Sequence, residues 1–178
     1  MKLLKYIALL WLGVAAVQAE PAFVTLDGNI SLPLPEGWSV VDSTSGFPYT
    51  IVPEYPDAEL RVYRSEVAKA DAVTSQSELK ASVYDVVDNV ILQLPGAEVL
   101  SNTGFNKKGY CGYVVEFSTN DSAAGTALRH RFAGRIYRRP SGEQIMFTLW
   151  GKSSPDVYEE VAPAFKMMQA GFAYTGPH

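Results

Sequence analysis

From Gln144 to Trp150 the chain alternates so that, as a strand, Ile145, Phe147 and Leu149 share one face and Met146, Thr148 and Trp150 the other. With apolar side chains on both faces, the strand is expected in the middle of a sheet, covered above and below. The pattern then changes period. Ser153-Ser154-Pro155 reads as an N-cap followed by proline at the first helical position. Val157, Val161, Phe165 and Met168 recur at helical spacing as one apolar stripe. Pro163 lies inside this helix, removes a hydrogen bond to the Glu159 carbonyl, and predicts a kink.

Upstream, Ser75-Gln76-Ser77-Glu78 fits a capping box. Leu79, Val83, Val86, Val87, Val90 and Ile91 follow on one helical face until Pro95-Gly96 ends the run. Lys80, Asp85 and Asp88 take the other face, and with no third ligand nearby in sequence the two acids read as a solvated surface. Four strands joined by hairpins are predicted after it: Glu98–Phe105, Tyr110–Ser118, Ala127–Tyr137 and Gln144–Trp150. Asn106-Lys107-Lys108-Gly109 and Arg139-Pro140-Ser141-Gly142 supply the turn chemistry, and the small polar stretch from Thr119 to Gly125 a longer, mobile loop. Before the helix, Phe23–Leu34 alternates around Asp27-Gly28-Asn29, a turn signal. Pro33 and Pro35 exclude a central strand there, so this segment is expected along an edge, delivering Trp38 to the core. Tyr49–Val52 and Glu59–Ser65 are the remaining extended pieces, the latter with Leu60 and Val62 opposite Arg61 and Tyr63.

The first residues change the picture. Lys2 and Lys5 precede an apolar run from Tyr6 to Val17, and Val17-Gln18-Ala19 places small residues where a secretory cleavage site needs them. The run is shorter than the roughly 20 residues of a spanning helix. Residues 1–19 are therefore expected to be a signal peptide cleaved after Ala19, leaving residues 20–178 as a single exported domain, most simply periplasmic, with no transmembrane segment. No cysteine at the junction offers a site for a lipid anchor.

The chain has 15 basic and 19 acidic residues, a net charge of −4. Residues 1–19 hold two lysines and no acid, so the remainder stands at −6. An acidic balance argues against a nucleic-acid partner. Cys111 is the single cysteine, so no disulfide framework exists and stability must come from packing. It shares its strand face with Tyr113, Val115 and Phe117, which predicts a buried, unreactive thiol.

Ile30-Ser31-Leu32-Pro33-Leu34-Pro35-Glu36-Gly37-Trp38, taken with the strand-then-helix ending at Gly171-Phe172, resembles the PsbP-like and DcrB-like superfamily. The resemblance spans nearly the whole exported part and implies an α+β domain: a central antiparallel sheet flanked by helices on both faces. Its members include an extrinsic photosystem subunit, a Ran-binding import factor and bacterial envelope proteins, so the fold does not choose a function. No catalytic residue is carried over.

Candidate chemistry is sparse. His130 and His178 are the only histidines, and His178 is terminal. His130 shares a strand face with Phe132 and Ile136, which predicts a partly buried structural residue. There is no Gly-x-Ser-x-Gly elbow, no histidine pair, no CxxC, no calcium-loop spacing and no phosphate-binding glycine fingerprint. No metal or cofactor is therefore expected. Along Ala127–Arg139, however, alternation places Arg129, Arg131, Arg135, Tyr137 and Arg139 on one face. This basic stripe could receive an anionic group of an envelope component or partner protein. The competing reading pairs it with Glu116 and Glu143 on neighbouring strands as cross-strand ion pairs. The expected function is a non-catalytic exported protein that binds or stabilises an envelope or membrane-complex partner. The alternative is a small hydrolase or ligand carrier.

Overall fold

The computed structural model describes residues 21–41, 47–54, 57–121 and 125–176. The expected leader (1–19), the cleavage point, the tip of the Thr119–Gly125 loop and His178 lie outside the described residues. The elements are β1 (Ala22–Leu26), β2 (Ile30–Leu34), β3 (Trp38–Val41), β4 (Tyr49–Pro53), β5 (Ala58–Val67), α1 (Gln76–Val86), β6 (Glu98–Lys107), β7 (Tyr110–Asp121), β8 (Thr126–Arg138), β9 (Gln144–Ser153), α2 (Pro155–Gly171) and β10 (Ala173–Tyr174). Seven strands form one antiparallel sheet in the order β3-β4-β5-β9-β8-β7-β6, and β1-β2-β10 form a smaller one. The fold is α+β. The strand built on Gln144–Trp150 stands fourth of seven, as its two apolar faces require.

One face of the large sheet carries Leu60, Val62, Ile145, Phe147 and Leu149, all fully buried under α2 and the small sheet. Phe165 and Met168 close this core from α2. Each such side chain contributes about 1.5–3 kcal/mol on burial. Gly151 permits the approach, since a Cβ there would stand 2.8 Å from the Phe165 ring. Trp38, on the edge strand β3, meets the same ring edge-on at 5.7 Å and so anchors to the core as expected.

The other face packs Tyr113, Val115 and Phe117 of β7 against Leu79 and Val83 of α1 and Ile91 beyond it. The capping box forms: the Ser75 side chain accepts from the Glu78 N–H, and the Glu78 carboxylate accepts from the Ser75 N–H. Hydrogen bonds from Thr74, then Ser75, hold the Glu78 pKa down at about 2.

The structure departs from the sequence pattern in four places. After Val86 the helix widens into a π turn (Val87–Ile91), closed by the Leu92 N–H to the Val87 carbonyl at 2.9 Å. The wider turn keeps Ile91 in the core but rotates Val90 out to 44% exposure. β2 is the middle strand of the small sheet despite Pro33. β10 pairs only with Ile30 and Ser31, so at Pro33 the strand has a ladder partner on one side only. β7 runs on into the predicted loop as far as Asp121, and β8 begins at Thr126, directly after it. Finally, coverage is diagonal: α1 packs on β6 and β7, α2 on β5, β8 and β9. Met146 and Trp150, on the α1 side of β9, are therefore only half-buried.

Candidate functional site

β8 and α2 place the residues of the basic stripe. Arg135 is 6% exposed and buried against the end of α2. Its guanidinium donates to the carbonyls of Phe172 (2.6 Å), Ala170 (3.1 Å) and Gln169. It also lies 4.8 Å from the Tyr110 ring centre. The last turn of α2 contains no basic residue of its own, so its free carbonyls and negative dipole end are met by a cation from the neighbouring strand. Arg131 donates from Nε to Gln169 Oε1 at 2.7 Å and pairs through Nη1 with Glu116, directly opposite on β7. The buried Gln169 amide donates in turn to the carbonyls of Leu149 (3.0 Å) and Arg131 (3.2 Å), tying α2 to β9 and β8.

The remaining stripe residues have partners of other kinds. Arg129 stacks over the Tyr158 ring at 4.8 Å. Arg139 pairs with Glu66 at 3.3 Å and Glu143 at 3.5 Å, and its pKa is raised, first by a hydrogen bond with Tyr174. Tyr137 is buried, stacked on Tyr110 at 5.1 Å, and burial raises its pKa. Glu116 thus supplies the cross-strand partner that the sequence offered, whereas Glu143 meets Arg139 within the β8–β9 turn, four residues on.

What the structure brings together is narrower than the stripe. Arg131 and Arg135 line one wall of a cleft of about 330 Å³ between α2 and the β6–β7 hairpin, while Arg129, Tyr137 and Arg139 do not. Lys107 and Lys166, exposed at its mouth, make no ion pair among the described residues. Phe105 and Tyr110 form an aromatic wall, edge-on at 6.1 Å. Phe105 can lie against the sheet because β7 has glycine below it: a Cβ on Gly112 would stand 2.8 Å from the ring. No carboxylate lines this cleft among the described residues. Lys166 comes from α2 and Lys107 from the end of β6, so neither belongs to the alternating pattern on β8 that revealed the arginines. Proximity of the two segments was the missing signal.

His130 is 3% exposed and stacks on Phe117 at 4.4 Å. The Trp150 indole N–H donates to Nδ1 at 3.1 Å, which leaves the proton on Nε2, 2.9 Å from Thr119 Oγ1. Burial, then Lys152, lowers its pKa to about 4. Both ring nitrogens are engaged, by Trp150 and Thr119, and among the described residues no carboxylate orients the ring as a catalytic base requires. Cys111 faces Leu79 and Ile136 as the register demands, but it is half-buried rather than buried, because it sits at the first turn of β7 beside an open cleft. Partial burial raises its pKa.

No protein-family model and no curated protein matches this sequence. Solved structures do. LpqN, involved in cell envelope biogenesis of Mycobacterium tuberculosis, superposes with a TM-score of 0.64 at 15% identity, covering 82% of this chain and 83% of LpqN. The cyanobacterial PsbP protein CyanoP of Synechocystis gives 0.55 at 16% identity over 90% and 95% of the two chains. The Saccharomyces cerevisiae Ran-binding protein Mog1p gives 0.52 at 12% over 87% and 95%. The chain therefore has the PsbP-like fold, as its sequence resemblance implied.

Proposed function

We propose that the protein is an exported, non-catalytic binding domain of the cell envelope that holds a partner by an anionic group received in the cationic cleft. The observation that carries this reading is the convergence of Lys107 and Lys166 on the Phe105–Tyr110 wall, with neither lysine in an ion pair and no lining carboxylate among the described residues, in a chain whose net charge is −4. Lysines at the mouth steer and hold an anion without geometric demand, and the aromatic wall supplies apolar area beside it. Export is supported by the leader-like first residues and by the likeness to LpqN, a protein of envelope biogenesis. Partner binding is supported by the likeness to Mog1p, a Ran-binding protein. A ligand-carrier reading uses the same cleft, whose volume lies at the lower end of small-molecule sites.

A photo-crosslinking residue placed at Val114, inside the cleft, tests the reading in the intact envelope. A discrete adduct that disappears in a Lys107→Glu, Lys166→Glu background is expected. An adduct indifferent to that charge reversal, or the same adducts from a crosslinker at Asp88 in the π turn after α1, contradicts it. A small anion released from the purified, denatured protein distinguishes the carrier.

A further inference from the structure

The opposite flank of α2 borders a second depression, built from different residues. Between the N-terminal half of α2 and the β3–β4 edge runs a groove of about 590 Å³. Trp38, Val157, Val161 and Ala164 give it an apolar floor, fixed by the contact of Trp38 with Phe165. Glu36, Glu54, Asp57 and Glu160 rim it, and no lysine or arginine lines it among the described residues. The rim is held in place by its backbone: the Glu54 N–H donates to the Gly37 carbonyl at 2.8 Å, and the Ser154 N–H to the Asp57 carbonyl at 3.3 Å.

The acids of the central strands and the β8–β9 turn are treated differently. Glu59 is paired with Arg61 and Lys152, Glu66 with Arg64 and Arg139, Glu116 with Arg131, and Glu143 with Arg139. None of the four rim carboxylates has an ion pair among the described residues. Four like charges around an apolar floor repel one another and repel an anionic lipid surface or a second copy of this acidic chain. They complement a cation.

We propose that this groove docks a cationic amphipathic segment of another protein, with its apolar side chains on Trp38 and Val157 and its lysines or arginines at the rim. This is the helix-in-groove or extended-peptide mode, in which the apolar floor supplies affinity and the rim supplies orientation and choice of partner. It is independent of the cationic cleft.

The probe is a synthetic amphipathic peptide of lysine and leucine, with a counterpart carrying glutamate for lysine, titrated into the protein and followed by amide and indole chemical shifts. Saturable shifts are expected at Gly37, the Trp38 indole, Val157 and Ala164. Glu54→Lys with Glu160→Lys should weaken binding about tenfold or more, and added salt should weaken it further. Asp85→Lys with Asp88→Lys, the same charge change on the far side, should leave it within about twofold. The rim carboxylates are exposed, and single Glu54→Gln and Glu160→Gln variants give the same ranking should the double reversal fail to fold. Equal loss in the remote variant, shifts scattered over the surface, equal binding of the acidic peptide, or self-association that buries Trp38 overturns the proposal.

Discussion

The two flanks of α2 treat their charges differently. Beside its C-terminal half, Arg135 is committed to the helix carbonyls and Arg131 to Gln169 and Glu116, and the charges left for an outside group are those of Lys107 and Lys166. Beside its N-terminal half, four carboxylates stand around an apolar floor with no internal partner among the described residues. A guanidinium that folding removes from water must be met by acceptors, so the deeper an arginine sits in a stripe, the less of its charge remains for a ligand. Formal charge on a strand face is therefore a poor guide to available charge. Exposure and internal partners decide it.

The largest expected effect tests the committed end of that contrast. Arg135→Met removes the donors to three carbonyls at the end of α2 and is expected to cost about 3–5 kcal/mol in urea unfolding. Lys166→Met, a few residues away at the cleft mouth, should stay within about 0.5 kcal/mol. Similar values for the two would erase the distinction between structural and available cations.

The next effect is acid-dependent and concerns the other face of β8. His130 has its pKa lowered to about 4 against 6.5 in the unfolded chain, so the folded state binds this proton less readily. Stability is full above pH 6.5, falls as pH drops toward 4, and loses nothing more to this group below that. The loss should be about 2 kcal/mol once solvent screening is allowed for. A His130→Phe variant should flatten the profile in that window. An unchanged slope would assign it to other groups.

A smaller effect separates the two helix starts. Ser75 caps α1 through its side chain, whereas Ser154, at the start of α2, makes no such bond. Ser75→Ala should cost about 1 kcal/mol and Ser154→Ala a few tenths at most, measured as melting midpoints.

Much of this fold is written locally. Period-two alternation in β7, β8 and β9, the capping box at Ser75 and the turn at Arg139–Gly142 each need only neighbouring residues, and each formed where expected. The features that the sequence concealed depend on distant segments. Arg135 meets carbonyls more than thirty residues away. The pairing of β10 with β2 joins the two ends of the domain, and the π turn at Val87–Ile91 shifts Val90 by one step that no propensity records. The cleft was visible by half: alternation exposed Arg131 and Arg135, but Lys107 and Lys166 join them only when the end of β6 and α2 converge. The acidic groove draws on three separated segments and left no signature in any one of them.

The anion-receiving role proposed for the cleft rests on the lysines at its mouth rather than on the arginines that the stripe displays. Melting temperature and partner capture, measured on the same Lys107→Glu, Lys166→Glu protein and on the wild type, test it most directly. An unchanged melting temperature with capture lost in a salt-sensitive way is the predicted result. Unchanged capture in a protein of unchanged stability would contradict the account.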